Sequence, residues 1–303
     1  MKDRFGREIT NIRISITQRC NLECFYCHEE GENGLNKGVL SLEDLEPILK
    51  TAEKLGMSKV KFSGGEPLVH PDIVEIISLA NDYMDEISLT TNGILLPELA
   101  EQLKNAGLDR VNISLDTLDK ETYERLTYYD KLDKVKEGIR KAVDTGLFPI
   151  KINMLLMAGI NDDEVEDMIE FSASSGAILQ VIEMTSSVEN IDEDTFSKYH
   201  KPLGELAKEL EDRAIEVKER KMHSRKKYFL DEPETQVELV RTMHNTQFCD
   251  NCTRLRVTST AELKPCLLRT DNHISIREDI DKGSPLKEKF IEAIYNREPY
   301  WRD

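Results

Sequence analysis

The sequence predicts an α/β fold, an incomplete (open) TIM-type parallel β/α barrel with a C-terminal extension. Three observations carry this. Six short strand-like segments alternate with helical ones from about residue 10 to about residue 185, as parallel strands joined by helical crossovers require. Several of those strands alternate apolar with polar residues, so one face meets the outer helices and the other looks inward. Beyond about residue 185 the alternation stops, which divides the chain into residues 1–185, the partial barrel, and 186–303, a C-terminal region expected to close it.

The expected strands are Asn11–Thr17, Lys59–Ser63, Glu86–Thr91, Arg110–Leu115, Pro149–Leu155 and Ile178–Glu183. In the first, Ile12, Ile14 and Ile16 alternate with Arg13, Ser15 and Thr17. Val60 and Phe62 alternate with Lys59, Lys61 and Ser63, and Ile150 and Ile152 with Lys151 and Asn153. The clearest helix is Ser41–Leu55. Leu42, Leu45, Ile48, Leu49, Ala52 and Leu55 share one face, Ser41 is placed to cap it, and Gly56 follows its end. Further on, a helix is expected near Leu203–Arg213. A hairpin follows from Lys227–Leu230 and Gln236–Val240 around "DEPET", and a last helix lies near Pro285–Tyr295.

An inward polar face carrying Arg13, Lys59, Lys61 and Lys151 suits a lumen that holds a polar, anionic ligand. A solvated sheet face is the alternative. The chain as a whole, at net charge −17 over 303 residues, does not bind DNA or an anionic membrane through its overall field. An anion must therefore be held locally. With a polar N-terminus and no apolar run near membrane-spanning length, a cytoplasmic setting is expected, where structural disulfides are rare.

Six cysteines fall into two triplets, Cys20, Cys24, Cys27 and Cys249, Cys252, Cys266. Three thiolates on one short loop can hold a [4Fe–4S] cluster and leave one iron open to a small molecule. A structural zinc needs four ligands; His28, crowded against Cys27, and His244 are the available fourth ligands. Arg254 and Arg256 fall on one face if Thr253–Thr258 is extended. Guanidinium pairs of this kind bind phosphate or a base edge bidentately, or else bridge to surface carboxylates.

Cys-x3-Cys-x2-Cys after the first strand resembles the radical S-adenosylmethionine (SAM) enzymes. Tyr26 before the third cysteine agrees, as do "SGGEP" (63–67) ending the second strand and "TTNG" (90–93) and "SLDT" (114–117) ending the next two. "FCDNCTRLRVTSTAELKPCL" (248–267) resembles the C-terminal cluster motif of one family among them, GTP 3′,8-cyclase (molybdenum cofactor biosynthesis protein A), and "FYCHEEG" its archaeal branch.

The resemblance implies a lyase using SAM and two [4Fe–4S] clusters. Such an enzyme converts GTP to (8S)-3′,8-cyclo-7,8-dihydroguanosine 5′-triphosphate, the first step of molybdopterin cofactor biosynthesis. It implies cluster ligation by both cysteine triplets, with Tyr26, Gly65 and Ser114 on SAM. It puts Arg13, Lys61, Thr91, Lys151, Arg254 and Arg256 on GTP, with Lys59 supporting the triphosphate, and no catalytic side chain. An external electron donor and a downstream cyclic pyranopterin monophosphate synthase are the implied partners. Two features depart from the pattern. Gln180 stands where many members carry arginine, and the chain ends "REPYWRD" instead of in Gly-Gly, with Arg297 and Arg302 the basic residues near that end. The other readings are a radical SAM enzyme with an auxiliary cluster acting on a peptide, and a non-catalytic iron–sulfur or zinc protein.

Overall fold

The computed structural model describes residues 1–32, 38–185, 193–242 and 245–299. His244 and Arg302 lie outside the described residues, as does the segment just after the expected division at 185.

The six expected strands form, with ends shifted by at most two residues, as β1 (Asn11–Thr17), β2 (Lys59–Gly64), β3 (Glu86–Thr91), β4 (Arg110–Ser114), β5 (Lys151–Leu156) and β6 (Ile178–Glu183). Six more follow: β7 (Glu216–Arg220), β8 (Arg225–Asp231), β9 (Glu234–Val240), β10 (Arg254–Val257), β11 (Glu262–Lys264) and β12 (Ile274–Ser275). The crossover helices include α1 (Leu42–Lys54), α2 (Ile73–Asn81), α3 (Leu96–Asn105), α4 (Lys120–Thr127), α5 (Leu132–Thr145) and α6 (Val165–Ser174). Ser41 caps α1 as the sequence implies, in a reciprocal capping box with Asp44.

One sheet contains all the strands, in the order β12-β11-β10-β1-β2-β3-β4-β5-β6-β9-β8-β7. The run from β10 through β1–β6 to β9 is parallel. Thus the C-terminal region adds a parallel strand to each edge of the predicted six. The β8–β9 hairpin forms around Glu232-Pro233. The expected closure takes this form only, and the barrel stays open. β12 has two residues and β7 is an exposed, charged "EVKER", the kind of edge that does not pair further.

The alternation read from sequence sorts the faces as expected. Ile12, Ile14, Ile16, Phe62, Val111, Ile113 and Ile152 are fully or almost fully buried in one continuous core under the helices. Their polar neighbours point to the other face. Among the described residues no helix is long and apolar enough to cross a membrane.

Candidate functional site

The two cysteine triplets sit at opposite ends of the sheet. The first lies in the loop that leaves the carboxyl end of β1 at Thr17. The second brackets β10 and β11. Cys249 and Cys252 precede β10, in and just after a short helix (Thr246–Asp250), and Cys266 follows β11. β10 runs parallel to β1 with Arg254 beside Asn11, and β11 runs antiparallel to β10. Cys252 and Cys266 therefore both fall at the amino ends of the parallel strands. A seven-residue strand such as β1 spans about 20 Å, so the two sites face each other across the polar face of the sheet.

Among the described residues, no three His, Cys, Asp or Glu side chains converge as one metal ion would need. A cubane takes each thiolate on a separate iron, so its ligands stand farther apart than those of a single ion. The donor chemistry fits a cluster too. Burial pushes the Cys20 thiol up to about 11 and the Cys24 thiol up to about 12, and in each case Cys27 pushes further in the same direction. Three crowded thiolates need positive charge among them, which iron supplies. His28 Nδ1 accepts the backbone N–H of Glu30 at 3.0 Å, turning that nitrogen onto its own loop.

Around the first triplet the fixed charges are acidic. The two glycines of "SGGEP" let β2 end against the cysteine loop. Gly64 has φ +148°, and a Cβ on Gly65 would stand 2.5 Å from the Arg19 carbonyl oxygen. Gly65 N–H donates to Thr17 O (2.8 Å) and Glu66 N–H to Arg19 O (2.8 Å). Among the described residues no hydrogen bond is made to the Gly65 carbonyl. Glu66 is buried; its Oε1 accepts from Thr91 Oγ1 (2.7 Å) and its Oε2 from Asn92 N–H (2.6 Å). Burial raises its carboxyl to about 7, against these hydrogen bonds. Asp116 is raised by burial to about 6; it accepts from the Tyr26 hydroxyl and, at 2.7 Å, from Leu155 N–H. Ser114 is exposed at the carboxyl end of β4.

Around the second triplet and along the inner face the fixed charges are basic. Arg256 lies beside Arg13, and Arg13 beside Lys61, in adjacent strands. Arg13 Nε donates to Ser63 Oγ at 3.1 Å, and its Nη2 pairs with Glu30. Arg256 Nη1 is 3.8 Å from the same carboxylate. Burial opposes ionisation of Glu30, but Arg13, His28 and Arg256 outweigh it and hold the group near 2. Arg254 has no ion pair among the described residues; burial, then Arg256 and Arg13, pulls its guanidinium well below the usual range. Lys61 Nζ donates to Asn112 Oδ1 at 2.8 Å. Burial, then Arg110, Arg13, Arg254 and Lys151, disfavours its charge. Lys151 is buried against Glu238 at 2.5 Å. A small recess, about the size of one water, opens beside Arg13, Glu30, Ser63, Arg256 and Lys264.

The structure brings Arg13, Lys61, Lys151, Arg254 and Arg256 to one inner face. Lys59 sits at its rim, half-exposed, paired with Glu86 at 2.7 Å. Thr91 is placed apart from them, with its hydroxyl on Glu66. Two cations were not singled out by the sequence. Arg110 shares the parity of Asn112 and Ser114 in β4, so the alternation contained it. Arg225 carried no signal: it reaches the inner face only because β8 pairs with β9 and β9 with β6. There Arg225 Nη1 donates to Gln180 Oε1 at 2.8 Å. An arginine thus arrives from β8 at the position where strand six lacks one. Seven cations (Arg13, Lys61, Arg110, Lys151, Arg225, Arg254, Arg256) share this face with the carboxylates of Glu30, Glu86 and Glu238. That surplus suits a polyanion.

Residues 14–172 match the Radical SAM superfamily and residues 177–302 match Molybdenum Cofactor Synthesis C. A protein of Thermococcus kodakarensis named "Probable GTP 3′,8-cyclase" is 49% identical over 99% of each chain. One of Methanocaldococcus jannaschii with the same name is 46% identical over 100% of this chain and 99% of that one. Among solved structures, Streptococcus suis SuiB bound to S-adenosylmethionine superposes with TM-score 0.68 at 16% identity, covering 98% of this chain and 76% of that one. A second, anSMEcpe with bound AdoMet and a peptide, gives 0.61 at 17% identity, covering 95% and 84%. At those identities the two structures share the fold.

Proposed function

The chain belongs to the GTP 3′,8-cyclase family of the radical SAM superfamily, and from that premise we propose how its own residues divide the work. The enzyme is a lyase that converts GTP to (8S)-3′,8-cyclo-7,8-dihydroguanosine 5′-triphosphate, the first step of molybdopterin cofactor biosynthesis. It uses SAM and two [4Fe–4S] clusters. The single observation that carries the residue assignment is the segregation of charge, with acids around the first triplet and cations from the second triplet along the inner face.

SAM carries a sulfonium and an ammonium group, and both are cations that an acidic site favours. Cys20, Cys24 and Cys27 hold the cluster there. Glu66 and the carbonyl of Gly65 receive the ammonium group, and Tyr26, Asp116 and Ser114 line the same end. Bound together and given one electron by the external donor, that cluster and SAM would supply a carbon-centred radical able to take the ribose 3′ hydrogen. Cys249, Cys252 and Cys266 hold the second cluster, against which Arg254 and Arg256 set the nucleotide. Arg13, Lys61, Lys151 and Arg225 neutralise the triphosphate, with Lys59 and Arg110 behind them. Glu30 keeps Arg13 and Arg256 converged. The chain has no Gly-x4-Gly-Lys-Ser/Thr loop, so charge and not a backbone cradle holds the phosphates. The division of the chain at 185/186 follows the same line, SAM chemistry before it and base placement after it. A cytoplasmic setting, an external one-electron donor and a downstream synthase belong to this reading. So many cations on one face suit the concentrated charge of a triphosphate better than a peptide's scattered carboxylates.

The deciding experiment is anaerobic incubation of the reduced, reconstituted enzyme with SAM and GTP. The expected result is 5′-deoxyadenosine together with a cyclised guanosine triphosphate, and about eight irons per chain. Deoxyadenosine without a guanosine product would reject GTP, and stoichiometric zinc would reject the second cluster.

Glu66 adds a pH dependence. Its folded pKa, near 7, lies above the ordinary carboxylate value, so the ligand-free protein binds a proton that the unfolded chain has lost. Stability should therefore fall as pH rises from about 4.5 to 7, and SAM, which favours the ionised form, should bind more tightly across the same window. Glu66→Gln should flatten both profiles in thermal unfolding and SAM titration. Unaltered slopes would remove Glu66 from the SAM site.

A further inference from the structure

Residues 297–299, the last that are described, are tied into the back of the second cysteine site. The last helix of the described chain spans Lys287–Tyr295 and buries Phe290, Ala293 and Ile294, which delivers Arg297 to the interior at 3% exposure. Arg297 Nη1 pairs with Asp3 Oδ2 at 2.8 Å, and its Nη2 donates to the Cys252 carbonyl at 2.9 Å. Arg7 Nε pairs with the same Asp3 oxygen at 2.6 Å, and its Nη1 donates to the Cys249 carbonyl at 3.0 Å and the Pro299 carbonyl at 2.9 Å. Asp3 is held in turn by the Phe5 and Arg7 backbone N–H groups at 3.0 and 2.9 Å. Two buried guanidiniums therefore share one buried carboxylate, and each grips the backbone of one cysteine of the pair. Among the described residues Arg297 Nε is buried with no hydrogen-bond partner, and Cys252 and Cys266 lie within electrostatic reach of that guanidinium.

This network leaves one net positive charge buried behind the cysteine loop. Burying an uncompensated charge is unfavourable unless something anionic lies nearby. A [4Fe–4S] cluster on three thiolates is anionic and becomes more so on reduction by one electron.

We propose that Arg297, with Arg7 and Asp3, is a positioning and potential-setting group for the second cluster, acting on the cysteine loop from behind. The inference rests on the second cluster assigned above. Its chemistry follows from charge alone. A fixed cation favours the more negative, reduced cluster and raises its potential, and Asp3 partly offsets it. Hydrogen bonds and net charge near the sulfurs are the levers by which proteins tune such clusters.

The test is a potentiometric titration of the reconstituted holoenzyme with dithionite and mediators, reading the electron paramagnetic resonance signal that GTP, and not SAM, perturbs. Arg297→Gln keeps a donor for the Cys252 carbonyl but removes the charge. The ratio of reduced to oxidised cluster at fixed poise should fall about tenfold, equivalent to about 59 mV for one electron. Asp3→Asn should shift it in the opposite direction, and Arg297→Lys should stay near the parent value. The SAM-perturbed signal should not move in any variant. Thermal unfolding of the cluster-free chain, run in parallel, reports the purely structural share. An unmoved potential, or a shift of the same sign in Arg297→Gln and Asp3→Asn, would overturn the inference. Four irons per parent chain would overturn the second-cluster assignment itself and this inference with it.

Discussion

Replacing Arg254 and Arg256 together by Ala should weaken GTP binding by roughly two to four orders of magnitude while iron content and SAM cleavage stay near the parent level. Each charge-assisted hydrogen bond contributes about 1.5–3 kcal/mol, and each 1.4 kcal/mol is tenfold in Kd. The two guanidiniums extend from β10 onto the inner face, where, among the described residues, Arg256 has only Glu30 at 3.8 Å as an ion-pair partner. They are therefore available to a ligand, in contrast to Arg7 and Arg297, whose donors are largely committed to Asp3 and to backbone carbonyls. Calorimetric titration with GTP and an iron assay on the same preparation give both readings. If iron is lost along with GTP binding, the pair supports the cluster loop and does not bind substrate.

Glu238→Gln should destabilise the fold by about 3–5 kcal/mol, the usual consequence of removing one partner from a buried ion pair. Glu238 is fully buried. Lys151 Nζ stands 2.5 Å from it, Lys227 Nζ 3.8 Å and Arg225 Nη1 4.0 Å, so its removal leaves three cations facing one another. A triphosphate would replace the lost charge. The rise in unfolding temperature on adding GTP should then be larger in the variant than in the parent. Equal shifts would place the triphosphate away from Lys151 and Arg225. Burial already draws Lys151 down to about 7, with Glu238 opposing that shift. The variant's lysine should be more easily neutralised, so its gain from GTP should shrink as pH rises, beginning at a lower pH than in the parent.

The first cysteine site was legible because its ligands are local. Cys20, Cys24 and Cys27 fall within eight residues, and period-two alternation around them fixes which face of β1 and β2 looks inward. The same alternation placed Arg13, Lys61 and Lys151 on one face before any coordinates. Lys59 obeyed the alternation too, but a strand's first residue lies at the rim, and there it meets Glu86. Thr91 was assigned by its motif to GTP, whereas its hydroxyl binds Glu66. A motif gives the position in the strand but not the partner chosen from a neighbouring loop. Glu66 and Asp116 stood inside quoted motifs. Their importance became visible only when burial and hydrogen bonding were.

The sequence by itself determined the elements: six βα units, two cysteine triplets, the inward cations and the arginine pair of "FCDNCTRLRV". Those depend on interactions within a few residues of chain, such as caps, turn glycines and the two-residue period of a strand. Tertiary structure alone decided which end of the sheet each triplet occupies. β10 pairs with β1, more than two hundred residues away, and its direction beside β1 puts Cys252 and Cys266 at the amino ends, opposite Cys20. It also decided that Arg225 supplies the guanidinium missing at Gln180, through two successive strand pairings, and that Arg297 turns inward to Asp3. In each case the partners are set by which strand edges and buried charges must be satisfied once the sheet has assembled, and no local pattern records that requirement.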